Sequence, residues 1–553
     1  MYVYRPHDKQ LLNERVAQFR DQTRRFLDGQ LSNDEFLPLR LQNGLYIQRY
    51  APMLRVSVPY GMLSSTQLRM LGRIAREWDK GYAHVSTRQN IQYNWPDLED
   101  VPDILAALAE VEMHAIQTSG NCIRNVTTDE FAGINAAEIE DPRPWCEIIR
   151  QWATFNPEFA YLPRKFKIAV NAVPDADPAL IGVHDIGVQI VHRDGETGFQ
   201  VLAGGGLGRT PMVGEVIGDF VPWPHLLSYL EAILRVYNKY GNRDNKYKAR
   251  IKILVKALGA EKFRALTEAE FAELKDGPMT LTAEEVDVMR GHFSEPAYDP
   301  SLTNRPAALE QALASNKAFN RWFHTNVTAH RQPGYAAVTL TLKKTGRAPG
   351  DLTDEEFDAV ADLADQFSFA EARTTHQQNI VLGDVRQDQL FPLWEKLDAL
   401  GFATPNLKLL TDMIACPGGD FCSLANAKSI PIAEAIQRHF DDMDYLHDLG
   451  PIDVNISGCM NACGHHHIGH IGILGVDKKG REYYQITLGG RGDKVSKIGE
   501  KLGPSFDADQ VVPVIARLVD LYVEQRKPGE LFIDTYERLG IEPFKERAYA
   551  TDH

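Results

Sequence analysis

Four of the six cysteines fall into two close pairs, Cys416 and Cys422 with five residues between them and Cys459 and Cys463 with three. Four thiolates in two short pairs are what a cubane iron–sulfur cluster requires. Pro417, Gly418, Gly419, Gly458 and Gly464 surround them, leaving room for backbone to approach sulfur and donate N–H hydrogen bonds. Zinc is the other reading, but structural zinc sites prefer two to four residues within each pair, so the Cys416 to Cys422 interval is awkward for it. Spacing alone favours the cluster and leaves zinc open, with a disulfide frame behind both. Cys122 and Cys146 stand alone. His465, His466, His467 and His470 crowd behind Cys463. Consecutive histidines on an irregular segment cannot all face one ion, so packing or hydrogen bonding beside the cluster is expected of them.

The second set of chemically suggestive residues is cationic. Strand alternation puts His84, Arg88 and Gln92 on one face of one strand, and Lys165 and Lys167 share a face in the run Leu162 to Lys167, which also holds Arg164. Arg55 lies on an early strand and Arg124 sits in Cys122-Ile123-Arg124-Asn125-Val126. A further run from Asn242 to Lys252 carries Arg243, Lys246, Lys248, Arg250 and Lys252. Singly, each is more often a solvated surface charge than a ligand. Together they describe a site for anions.

These residues sit on a sequence that repeats itself. The order strand, helix, strand around Met53 to Tyr93 returns around Ala337 to Leu382. Ser64 with Gln67 and Thr353 with Glu356 form capping boxes that open the two helices. Their apolar stripes are Leu68, Leu71, Ala75 and Trp78 in one and Phe357, Val360, Ala364 and Phe367 in the other. Thr87-Arg88-Gln89-Asn90-Ile91 answers His376-Gln377-Gln378-Asn379-Ile380, and a helix follows each (Val101 to Val111; Gln387 to Leu400). A second pair of related strand segments, Lys165 to Gly208 and Asp453 to Gly492, ends each time in consecutive glycines. The expected organisation is an N-terminal extension (1–50), an α/β half-domain (51–115), an anion-binding domain (116–294), a proline-rich connector with a short helix (295–334), a second half-domain (335–403) and a cysteine-bearing domain (404–553). One duplication with two different sets of polar residues suggests a single site shared between the halves.

Composition narrows the class. At 553 residues the chain is too long for one core, and 44% hydrophobic with 24% charged residues is ordinary for a globular enzyme. Its net charge of −15 argues against nucleic acid as a partner. No run approaches the roughly 18 apolar residues of a membrane span. Met1 to Arg15 is polar and of mixed charge, unlike a secretory leader, so a cytoplasmic location is expected.

Ala415-Cys416-Pro417-Gly418-Gly419-Asp420-Phe421-Cys422 and Gly458-Cys459-Met460-Asn461-Ala462-Cys463-Gly464 resemble the signature of the siroheme sulfite and nitrite reductases, and the resemblance covers nearly the whole chain, duplication included. Among its members the chain is most similar to the haemoprotein component of bacterial assimilatory sulfite reductase. The resemblance implies an α+β fold: duplicated ferredoxin-like half-domains plus two related mixed α/β domains with pseudo-twofold symmetry. It implies siroheme and a 4Fe-4S cluster ligated by Cys416, Cys422, Cys459 and Cys463, with Cys463 also ligating the siroheme iron. Arg55, Arg124, Lys165 and Lys167 are implied around the substrate, and Arg88 and Gln92 on the siroheme carboxylates, with Arg164, Arg243, Lys246, Arg250 and Asn461 contributing. The implied reaction is the six-electron reduction of sulfite, with nitrite as the alternative substrate. Plant-type nitrite reductases usually carry asparagine where this chain has Lys167, which favours sulfite. Some ferredoxin-type members join a tyrosine to a cysteine beside the siroheme; here Tyr46 is kept but the cysteine position is Ser119, so no crosslink is expected. No segment reads as a flavin or nicotinamide site, so electrons must come from ferredoxin or from a separate NADPH-dependent flavoprotein. From a different class, a structural metal-cluster protein remains the competing expectation.

Overall fold

The computed structural model describes residues 1–493 and 495–550. The duplication is realised as two interlocked half-domains. One five-stranded sheet runs Leu45–Ile47, Pro52–Val56, Ile91–Tyr93, Tyr82–Val85 and then Asp351–Thr353. The other runs Val327–Ala329, Tyr335–Leu340, Ile380–Arg386, Glu371–Thr374 and then Met62–Ser64. Each sheet therefore takes its last strand from the other half: Asp351 pairs with His84, and Ser64 with Glu371.

Both exchanged strands lead straight into the helices Ser65–Trp78 and Asp354–Phe367, and both capping boxes form as the sequence predicts. Leu68, Leu71, Ala75, Phe357, Val360 and Ala364 are fully buried in one core common to the two halves. The helices meet at Gly72, where a Cβ would stand 2.9 Å from the Asp354 carbonyl. Along that contact Arg69 pairs with Asp362 and Asp365, and Arg76 with Asp354 and Asp358.

The repeated Gln-Asn motif is a hairpin turn in both halves, and here the structure corrects the sequence expectation. His84 and Gln92 lie on two different strands, directly opposite each other, while Arg88 belongs to the turn between them. Ser86 and Asn90 close the first turn, Thr375 and Asn379 the second, and Gln89 and Gln378 adopt the left-handed backbone at φ 59° and 62°. Asn90 Oδ1 accepts from the Val58 N–H and Asn379 Oδ1 from the Leu342 N–H, so each turn is pinned to its own first strand.

The two remaining sheets also match. Ile168–Asn171 pairs in parallel with Ile186–Arg193, followed antiparallel by Glu196–Ala203 and Glu215–Pro222. Val454–Ser457 pairs in parallel with Ile471–Lys478 and with Ile414–Ala415, followed by Arg481–Leu488 and Glu500–Lys501. Each packs its own helices into a separate core. The connector holds two helices, Ala307–Ser315 and Lys317–Asn326, rather than one. Among the described residues no helix is long and apolar enough to cross a membrane.

The pinned turns and the caps differ in what they protect. Thr353→Ala removes an exposed-side cap and is expected to lower stability by about 1 kcal/mol. Asn379→Ala leaves the Leu342 N–H and the buried Asp412 carboxylate, which Asn379 Nδ2 reaches at 2.9 Å, without their partner. A loss of about 2–3 kcal/mol is expected there; urea midpoints of the two variants check the ordering.

Candidate active site

The ends of the first hairpin, the loop 117–124, the entry to strand Ile168–Asn171 and both cysteine loops meet around one cavity of about 680 Å³, counting its mouth. Its wall includes Arg55, Arg88, Gln92, Arg124, Lys165, Lys167, Cys416, Asn461 and Cys463. Five cations and no carboxylate line it among the described residues. Cys463 is the exposed cysteine of the four, and its carbonyl accepts from Thr87 Oγ1 at 2.8 Å, so the first half's turn holds the second half's loop.

Internal bonds aim the cations. Arg55 Nε donates to Gln92 Oε1 at 2.8 Å, and Arg55 and Arg124 share the Thr118 carbonyl at 3.2 and 2.8 Å. Arg124 also donates twice to the Gly120 carbonyl. Arg88 reaches inward to Thr127 Oγ1, the Asn125 carbonyl and the His184 ring. Behind Lys167, the fully buried Asp185 accepts the Lys167 N–H at 2.9 Å and binds the Arg250 guanidinium through both oxygens.

Crowding cations in low dielectric disfavours their charge. Desolvation first, then neighbouring arginines, pulls Arg88 down to about 9. Lys165 falls to about 8 for the same leading reason, opposed by Cys463. Desolvation together with Arg88 and Lys165 drives Lys167 well below the usual ammonium range. A wall of this kind is complete only with anions inside it.

The other expected residues are spread around this centre. Arg164 is half-buried, lowered by desolvation and by Arg250 and Arg124. Arg250 is committed to Asp185. Arg243 and Lys246 stand on the exposed loop after helix Leu226–Tyr240, where Arg243 donates to the Tyr161 carbonyl and Asn238. Lys252 turns away to three carbonyls, those of Gly206, Leu207 and Thr210. Tyr46 faces the cavity's cations: Arg55 lies over its ring, and Arg124, Arg55 and Lys165 outweigh burial to lower its phenol. Sequence reasoning missed Thr87, Asp185, Thr118 and Gln378. Only Thr87 and Gln378 carried a signal, their place in the repeated turn motif.

Burial, then the nearby Cys463 and Cys459, pushes the Cys416 thiol up to about 12, and burial followed by Cys463 pushes Cys459 up to about 11. N–H groups already aim at sulfur, Gly458 N–H reaching Cys416 Sγ at 3.2 Å. Thiols that resist ionisation alone yet have donors in place fit a multivalent cationic centre, which makes thiolates of them. Among the described residues no three His, Cys, Asp or Glu side chains converge as a single metal ion would demand. Thiols that sense one another at that wider spread suit a polynuclear cluster. The histidines after Cys463 face different partners, His467 the Gly208 carbonyl and His470 the Asp453 N–H.

Comparison with known proteins gives consistent matches. The family model described as the nitrite and sulphite reductase 4Fe-4S domain matches residues 119–275 and 408–551, and that of the nitrite/sulfite reductase ferredoxin-like half domain matches 47–111 and 329–400. A sulfite reductase [ferredoxin] of Mycobacterium tuberculosis is 31% identical over 87% of this chain and 81% of its own length. The chloroplastic ferredoxin–nitrite reductase of Arabidopsis thaliana is 28% identical over 89% and 80%. The solved structure of Mycobacterium tuberculosis NirA superposes with a TM-score of 0.76 at 29% identity, covering 93% of this chain and 92% of that one.

Asp185 is the buried counter-charge behind the cationic wall. Asp185→Asn strands the Arg250 guanidinium, and a stability loss of about 3 kcal/mol is expected. Removing both partners as Asp185→Asn with Arg250→Met is expected to cost less than the sum of the single changes, which a double-mutant cycle on urea midpoints measures.

Proposed function

The chain belongs to the nitrite and sulfite reductase family, and on that footing we propose that it is a ferredoxin-dependent sulfite reductase whose substrate is held by Arg55, Arg124, Lys165 and Lys167. It is an oxidoreductase that binds siroheme and a 4Fe-4S cluster. When bound, the two cofactors would relay to the substrate, one at a time, the six electrons from an external donor that, with protons, turn sulfite into sulfide and water. The observation that carries the reading is the cavity wall of five cations and, among the described residues, no carboxylate, with Cys463 part of the same wall.

The residues divide the work by chemistry. Arg55 and Arg124 are fixed by the shared Thr118 carbonyl, so their planar forks orient the anion's oxygens. Lys165 and Lys167, both lowered by desolvation and by their cationic neighbours, are the groups in the wall that give up a proton most readily, with Lys165 at about 8. Arg88, Gln92 and Asn461, which line the same cavity, together with Arg164 and the half-buried Arg250, would hold siroheme carboxylates, and Arg243 and Lys246 lie farther out at the surface. Cys416, Cys422, Cys459 and Cys463 would bind the cluster, with Cys463 shared with siroheme because it is the exposed one of the four and lines the cavity. Ferredoxin is the electron donor suggested by the names of the relatives; the alternative of an NADPH-dependent flavoprotein finds no support among them.

Two measurements test the proposal. Lys165, lowered to about 8, is fully charged well below pH 8 and loses its charge above it, and Lys167 is depressed in the same direction; an anionic ligand raises both and draws protons on. Siroheme binding to cofactor-free protein is therefore expected to take up more protons at pH 8.5, where Lys165 is largely neutral, than at pH 6, where it is charged, read by calorimetry in buffers of different ionisation enthalpy. With reduced ferredoxin, kcat/KM for sulfite is expected to exceed that for nitrite, and Lys167→Asn is expected to lower the sulfite value at least about tenfold. A wild-type preference for nitrite, or an unchanged sulfite value in Lys167→Asn, contradicts the substrate assignment.

A further inference from the structure

The same turn in the two halves presents the same glutamine, and the two glutamines are used differently. Gln89 Nε2 reaches the carbonyls of Thr128 and Thr374 at 3.1 and 3.2 Å, and its Oε1 is buried with no partner. Gln378, 1% exposed, is engaged at both ends of its carboxamide. Its Oε1 accepts from the Ala415 N–H at 2.9 Å, and its Nε2 reaches the Ala415 carbonyl at 3.0 Å. The side chain thus pairs with Ala415 as a neighbouring strand would. Strand Ile414–Ala415 has two residues and is paired on its other edge by Val454–Ser457, so Gln378 closes its open edge. Cys416 follows immediately, its own N–H on the Ile456 carbonyl.

The orientation of Gln378 is determined from behind. Nε2 also lies 3.0 Å from the Val85 carbonyl and 2.9 Å from His84 Nε2, and His84 Nδ1 lies 2.7 Å from Asp351 Oδ1. A hydrogen on His84 Nδ1, donated to the carboxylate, leaves a lone pair on Nε2 to accept from the amide. That tautomer and the amide orientation demanded by Ala415 support each other. His84 is buried and stands on the first half's strand, while Asp351 comes from the strand the second half contributes to the same sheet. The first half's glutamine lacks this completion.

We propose that Gln378 is a positioning residue for the cluster: held by His84 and Asp351 across the interface between the halves, it fixes Ala415 and so the presentation of Cys416. The inference rests on Cys416 being a cluster ligand. Its reach is specific, because the only backbone groups of strand Ile414–Ala415 that it holds are those adjoining that ligand.

Amide hydrogen exchange at Ala415 tests the contact without any cofactor. In cofactor-free Gln378→Leu, exchange at Ala415 is expected to be about tenfold faster or more, with the strand Val454–Ser457 unchanged. Gln378→Glu, which still accepts from Ala415, is expected to restore most of the protection. In the loaded enzyme, Gln378→Leu is expected to lose its iron–sulfur absorbance in air about tenfold faster than wild type and to shift the electron paramagnetic resonance of the reduced cluster, with a smaller change in the same direction for Asp351→Asn. Should Gln378→Leu fail to fold, Gln378→Ala and Asp351→Asn carry the same comparisons. Wild-type exchange in Gln378→Leu, or in Gln378→Ala in its place, overturns the contact, and faster exchange with unchanged cluster decay and resonance overturns the positioning role. Wild-type protein without iron–sulfur absorbance would instead count against the family reading of Cys416, while the exchange comparison still decides the contact.

Discussion

The constraint on which the structure turns is uncompensated positive charge inside it. Arg55, Arg88, Arg124, Lys165 and Lys167 line one cavity, and the carboxylate closest behind them, Asp185, is already taken by Arg250 and the Lys167 backbone. Desolvation lowers Arg88, Lys165 and Lys167 by more than Asp185, for the arginine, and Cys463, for the lysines, offset it. Cys416, Cys422 and Cys459 beside them have the complementary difficulty, since burial, and then the charge of neighbouring thiols, pushes them up and keeps them protonated. A polycarboxylate ring and a small anion relieve the first imbalance, and an iron–sulfur cluster the second. The two sites touch at Cys463.

Duplication explains how so much unfavourable charge is afforded. The two half-domains exchange strands and share a core, so the walls of the cavity are braced from both sides. The second half answers the same framework with different residues. Gln377 replaces Arg88 in the turn, and the buried Lys343 donates to the Gln377 and Gln378 carbonyls. Arg373, at the position equivalent to His84, binds Glu371 and the carbonyls of Glu130 and Ala132. There the cations are spent inside the protein, whereas in the first half Arg55 and Arg88, though also held by protein groups, line the cavity.

Much of this was legible in the sequence. The capping boxes, the helix stripes, the repeat and the two cysteine pairs are local patterns, and local patterns survive folding. The placement of Arg88 was not: alternation assumes a continuous strand, and Tyr82–Val85 and Ile91–Tyr93 are short strands joined by a turn in which Arg88 itself sits. Strand exchange left no trace, because Met62–Ser64 and Asp351–Thr353 are three-residue strands merging into helix caps. Asp185 was invisible for another reason: its partner Arg250 lies 65 residues away and nothing around it marks a counter-ion. The basic run after Asn242 divides in the structure: Arg250 is bound to Asp185, Arg243 and Lys246 are exposed, and Lys252 serves backbone carbonyls.

The central claim is that Cys463, lying where the cationic cavity meets the thiols, joins the two cofactors into one centre. Mössbauer spectroscopy of the oxidised, iron-57-enriched enzyme tests it most directly. The account predicts that the irons of the formally diamagnetic cluster show a magnetically split spectrum at low temperature, because exchange through the shared thiolate passes on the siroheme spin. Cluster irons that give only an unsplit diamagnetic doublet beside an independent siroheme would contradict it.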